Sequence, residues 1–207
     1  MHDSCSETER VRPYVQRARA DLREKTATAI ERATLRELGI QGYADLRLAD
    51  VARRAGVALR TVYLHAPTKQ ALVTAALRRR ALVLARKVDR WRPPDAAAAA
   101  ILDDLVGYHE RTYRSDRQVL ALLVDSGAPG SAELLRSLDR ARLALIERAM
   151  ADLARRGALR MRSEHAAALA HALLAYPTWR AALTGPAKRQ APALIAGALR
   201  RSLIVSS

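Results

Sequence analysis

The chain has 207 residues, half of them hydrophobic, which is enough for a folded core, and its apolar content of Ala, Leu and Val without any Phe favours helices over sheets. Lys and Arg number 36 against 21 Asp and Glu, a net charge of +15 that points to a polyanionic partner, either nucleic acid or an anionic membrane surface, with an arginine-rich compositional bias as the alternative. The lone Cys5 excludes an intramolecular disulfide, no apolar run reaches the ~18 residues of a membrane span, and the polar N-terminal stretch is unlike a signal sequence, so a cytoplasmic protein is expected.

In chain order, residues 1–19 carry Pro13 and no sustained period, and read as a flexible basic arm. Its Arg10, Arg12, Arg17 and Arg19 are of a type to touch phosphates or a minor groove, although a solvated tail is the plainer reading. From Ala20 to Leu38 the residues Leu22, Thr26, Ala29, Ile30, Ala33 and Leu38 recur at helical spacing, and Gly39 supplies a stop. Two short helices follow. In the first, Leu48, Val51, Ala52 and Ala55 share a face; Gly56 stands where only a residue free to adopt positive φ turns the chain without strain. The second spans Ala58 to His65, with Leu59 and Val62 expected inward, Arg60 and Thr61 outward, and Tyr63 turned partly inward with one edge left outward. Residues 20–66 therefore read as a helix-turn-helix DNA-binding domain braced by helix 1. No Asp or Glu occurs between Val51 and Val88, while Arg53, Arg54, Arg60, Lys69 and several later residues are basic, which suits a polyanion.

Pro67 and Thr68 open a connecting helix 4 over residues 67–92, ended by Pro93 and Pro94, where a domain boundary is expected. Helix 5, from Asp95 to Arg114, should bury Ile101, Leu102, Leu105, Tyr108 and Thr112. Helix 6 takes Asp116 to Asp125, a Gly- and Pro-containing loop follows, and helix 7 runs from Ser131 to Arg156, where Gly157 ends it. Helix 8, capped by Ser163 and kinked at Pro177, reaches Leu183, and helix 9 covers Ala191 to Ile204. The expected fold is all-α with about nine helices. Helices 8 and 9, rich in Ala with Leu and Ile between, are the candidates for a four-helix homodimer interface. Arg78, Arg79 and Arg80 point three ways and read as a solvated patch. Asp103, Asp104 and Glu110 would select a cationic ligand if they faced inward, and are solvated charges otherwise. The five His are scattered, with no metal pair, no phosphate loop and no nucleophile elbow, so no enzyme, metal or cofactor is expected.

The run from Asp50 to Leu72 resembles the signature of the TetR-type transcriptional regulators. An Asp-Val-Ala helix leads to Ala55-Gly56-Val57, the next helix ends in Tyr63-Leu64-His65, and Thr68-Lys69 starts helix 4. The likeness covers the first third of the chain. It implies that Thr61, Tyr63, His65 and Lys69 face phosphates, that Arg60 reaches base edges and that Arg47 touches phosphate. It also implies that residues 93–207 form a ligand-binding and dimerisation domain in which Trp91, Tyr108, His109, Tyr113, Tyr176 and Trp179 line a small-molecule pocket, with ordinary core packing as the alternative for each. Ala58 replaces the usual Ser or Thr cap, Ala66 replaces a Phe, and the loop after Gly39 is a few residues long. The function so implied is a homodimeric, sequence-specific repressor of a double-stranded DNA operator, released by an unidentified small-molecule effector. A constitutive DNA-binding regulator, or a basic helical protein at anionic membrane surfaces, would share much of this sequence pattern.

Overall fold

The computed structural model describes residues 6–185 and 188–205, and the side chains from residue 17 onward except that of residue 18. Ten α-helices make up the described chain: α1 Ser6–Asp45, α2 Leu48–Ala55, α3 Leu59–His65, α4 Lys69–Arg90, α5 Ala98–Ser115, α6 Arg117–Asp125, α7 Ser131–Arg155, α8 Ser163–Leu173, α9 Tyr176–Thr184 and α10 Ala191–Leu203. Among the described residues there is no β-strand, only an isolated bridge between Leu159 and Ile204. None of the described helices is long and apolar enough to cross a membrane.

The chain divides into two compact units, one running up to Arg78 and taking in Ser126–Gly130, the other formed by Arg79–Asp125 and the residues from Ser131 onward. The division falls inside α4, not at Trp91–Pro94.

In the first unit, α1 is helical from Ser6, so residues 6–19, expected as an arm, are helix; residues 1–5 lie outside the described chain. The helix also passes through Gly39. It breaks at Gly42, whose φ of 76° and ψ of 175° belong to a region open essentially to Gly alone. Its buried stripe is Ile30, Ala33, Thr34, Glu37 and Leu38, the three-and-four spacing of an amphipathic helix, whereas Leu22 is exposed. Glu37 is a buried charge that is paired: Arg54 of α2 donates to one carboxylate oxygen and Gln41 to the other at 2.7 Å. Such pairing is what makes a buried carboxylate tolerable, and it ties α1 to α2.

In the second unit the largest fully buried side chains include Ile101, Leu102 and Leu105 of α5, Leu145, Ile146, Met150 and Leu153 of α7, and Trp179 of α9. α7 ends at Gly157, which takes φ 65° while Ala158 donates back to the carbonyl of Leu153 at 3.0 Å. The segment expected as one kinked helix 8 is two helices. Leu174 and Ala175 lie between them, and Pro177 sits in the first turn of α9, where its missing N–H is harmless. Ser163 is the first residue of α8 and not its cap; Arg162 holds that position without a side-chain bond.

Candidate nucleic-acid interface and ligand cavity

The turn between α2 and α3 is made by Gly56 in the left-handed conformation, φ 68° and ψ 32°. Its N–H bonds to Arg53 at 3.3 Å and that of Val57 to Ala52 at 3.1 Å, which satisfies two carbonyls that the helix end would leave bare. Ala58 occupies the cap of α3 and supplies no side-chain bond. Within α3 only Val62 is buried, and Ala66 behind it fills the space where the resemblance led to expect a Phe. Leu59 is 40% exposed, Tyr63 50% and Leu64 78%, so Leu59 does not turn inward as expected, whereas Tyr63, expected to leave one edge outward, is half exposed. Val62 is the one residue of α3 that is buried.

Arg47, Arg60, Tyr63 and His65 are all exposed, and Thr61 is half-buried. Lys69 is more constrained than the sequence implied. Its Nζ donates to the Ala44 carbonyl at 2.8 Å and lies 5.0 Å from the centre of the Tyr43 ring. Thr68 caps α4 by accepting from the N–H of Ala71 at 3.1 Å.

The second unit holds a cavity of about 430 Å³, partly open to solvent and within the size range of small-molecule sites. Leu84 and Val88 of α4, Leu120 of α6 and Leu138 of α7 give it apolar walls. Tyr108, His109 and Tyr113 of α5 and Tyr176 of α9 form the aromatic side, with ring centres 5.7 Å apart for Tyr108 and His109, 5.8 Å for His109 and Tyr113, and 5.5 Å for Tyr113 and Tyr176. Burial raises the phenol pKa of Tyr113, whose hydroxyl donates to the Leu174 carbonyl at 2.6 Å. Burial lowers the pKa of His109 to about 4, aided by the charges of Arg142 and His171 and opposed by its bond to the Leu105 carbonyl. At neutral pH the ring is uncharged.

Four of the six aromatic and His candidates thus line the cavity and two do not. The Trp91 indole N–H donates to Asp104 at 2.8 Å, and Trp179 is fully buried against Tyr113. The acids Asp103, Asp104 and Glu110 are engaged with Arg200, Arg111 and Arg114 and stay out of the lining. The charged lining residues are instead Arg136, Asp139 and Arg142 of α7. Their three-residue spacing beside Leu135 and Leu138 was visible as charge flanking an apolar face, yet nothing local says that this edge faces α5. Arg142 donates to Asp139 at 2.6 Å and to the His171 carbonyl at 2.7 Å.

Close by, α4 is held to the start of α6 by a buried carboxylate. Asp116 receives bonds from Lys87 at 2.9 Å, from Ser115 at 2.7 Å and from Arg80, so Arg80 is not part of a solvated patch. Burial alone would raise the Asp116 pKa; the bonds from Lys87 and Ser115 and the two nearby cations outweigh it and hold the pKa below the ordinary value.

The first unit is a helix-turn-helix with an exposed second helix, and the second is helical and holds a cavity. Residues 30–76 match the family model of bacterial regulatory proteins of the tetR family, and the chain shares its fold with solved transcriptional regulators, one of them described as a TetR family protein. A protein of Saccharomonospora viridis described as a transcriptional regulator, in complex with choline, aligns with a TM-score of 0.72 at 17% identity over 88% of this chain and 100% of its own. NalD of Pseudomonas aeruginosa, the secondary repressor of the MexAB-OprM multidrug efflux pump, aligns with a TM-score of 0.64 at 20% identity over 89% of this chain and 98% of its own. FadR of Bacillus subtilis in complex with stearoyl-CoA gives 0.62 at 13% identity, over 83% and 96%. No curated protein sequence matches the chain significantly.

Proposed function

We propose that the protein is a homodimeric, sequence-specific transcriptional repressor of the cytoplasm, released from its DNA operator when a small molecule occupies the cavity of its second unit. The observation that carries this reading is α3, a helix held by one buried residue, Val62, with Arg60, Tyr63 and His65 left exposed in a stretch that has no acidic residue until Asp89. Burying the aromatic ring of Tyr63 would have served folding; leaving it out serves a partner. Arg60 suits base edges, because its fork of N–H donors matches the two acceptors of guanine. Thr61, Tyr63, His65 and Arg47 suit phosphates, which position a protein without reading sequence. Lys69 keeps two N–H donors beyond its bond to Ala44 and joins this set while also bracing the link between α1 and α2.

The effector part of the reading is supported by the cavity and by the neighbours of the same fold that hold choline or stearoyl-CoA. Leu84 and Val88 line the cavity from the same helix whose first residues follow the recognition helix, so a ligand that favours one position of α4 biases DNA binding. It does so only by its difference in affinity for the two states, and a coupling of about 1–3 kcal/mol is enough for a useful response. Pairing of two copies through α8, α9 and α10, where Leu183 and Leu194 are exposed, would set two α3 helices about 34 Å apart, one turn of duplex.

Selection of bound sequences from random duplex DNA tests the reading. The expected product is a two-fold symmetric site, and a screen of small molecules against that complex should yield compounds that release it. Retention of DNA without any enriched sequence would sink the repressor reading in favour of non-specific charge binding.

A further inference from the structure

We infer that the cavity takes an uncharged, largely apolar molecule carrying one hydroxyl or N–H group that donates a hydrogen bond to Nε2 of His109; this rests on the reading of the cavity as the effector site. His109 is buried and lines the cavity. Its Nδ1 lies 2.8 Å from the carbonyl oxygen of Leu105, and because a carbonyl only accepts, Nδ1 carries the hydrogen. With its pKa lowered to about 4 the ring is neutral, which leaves a bare lone pair on Nε2. No described residue donates to that nitrogen. The preceding residue of the same helix adds a second polar group: the Tyr108 hydroxyl is buried at the cavity wall with the Thr112 side chain as its neighbour in the lining. An acceptor on the cavity wall to which no described residue donates can take a donor from a ligand, and a ligand that brings one gains over an otherwise equal ligand that lacks it.

The charges of the wall argue against an ionic ligand. Asp139 meets Arg142 at 2.6 Å and His171 at 3.2 Å, and the Arg142 guanidinium is divided between that carboxylate and the His171 carbonyl. The Asp139–Arg142 pair is thus already made within the protein. A cation would gain from the Tyr faces but would meet Arg136 and Arg142; an anion would meet the lone pair of His109. Leu84, Val88, Leu120 and Leu138 leave room for an apolar body, and Tyr113 and Tyr176 favour an aromatic one.

The test is calorimetric titration of the full-length protein with para-hexylphenol, its methyl ether para-hexylanisole, hexyltrimethylammonium and para-hexylbenzoate. The phenol should bind roughly tenfold to a hundredfold tighter than the ether, the difference made by one buried donor. In His109→Phe, which keeps a ring between Tyr108 and Tyr113 but removes the acceptor, that gap should close. If the variant fails to fold, the ratio of phenol to ether on the native chain decides alone. Equal binding of phenol and ether, tighter binding of either ion, or no binding by any of the four overturns the inference. Release of operator DNA, followed in parallel, reports on the effector reading separately. Phenol that binds without releasing DNA counts against the effector role and leaves the ligand class standing; an ion that binds best and releases DNA does the reverse.

Discussion

The same residue types stand in opposite surroundings on two helices of this chain. On α3, Tyr63 and His65 are exposed beside Arg60; on α5, Tyr108, His109 and Tyr113 are folded into the wall of a cavity. Exposure leaves the first pair hydrated and available to a polyanion. Burial makes His109 a neutral acceptor and raises the phenol pKa of both Tyr108 and Tyr113, so that the second set offers hydrogen bonds without charge. What a Tyr or His can recognise is therefore decided less by its identity than by how much water the fold leaves around it.

The largest way to break the contrast is to destroy the turn that presents α3. Gly56 has open space around a would-be Cβ, so the obstacle to Gly56→Val is the backbone alone. A β-branched residue at φ 68° should cost about 1–3 kcal/mol and misdirect α3, abolishing operator binding while the cavity still takes ligand. Operator binding unchanged in that variant would count heavily against the motif.

A second test, smaller for DNA binding but as large for stability, sharpens the other side. Between pH 6.5 and about 4 the unfolded chain protonates His109 while the folded chain does not. The unfolded state thus binds more protons in that window. Stability is full above pH 6.5 and falls as pH drops toward 4, by roughly 3 kcal/mol. Urea unfolding across this range should show the slope in the native chain and its loss in His109→Phe; a slope unchanged in the variant would mean that His109 is not the titrating group.

The first unit was readable in the sequence because its information is local. Val62, Gly56 and the Thr68-Lys69 start lie within a few residues of the structure they make, and each appears where the spacing placed it. Where a choice depended on distant packing, the sequence left it open. Gly39 is the expected stop of α1, yet the helix runs through it and breaks at Gly42, beyond the buried Glu37 and Leu38. The cavity is the harder case. Tyr108, Tyr176, Trp91 and Trp179 look alike as aromatic residues on helices, yet the Tyr side chains line it while the indoles are spent on a bond to Asp104 and on the core. Arg142 reaches its partner His171 across 29 residues, a contact no spacing rule could have supplied.

The central claim, that the exposed face of α3 reads DNA, is tested most directly by comparing Arg60→Ala and Lys69→Ala on the selected operator and on a scrambled duplex over a range of salt. Arg60→Ala should lose about 1–3 kcal/mol of preference for the operator and bind scrambled DNA nearly as before. Lys69→Ala should weaken both duplexes alike and lower the salt slope by about 1. Equal, sequence-independent losses in both variants would contradict base reading by Arg60.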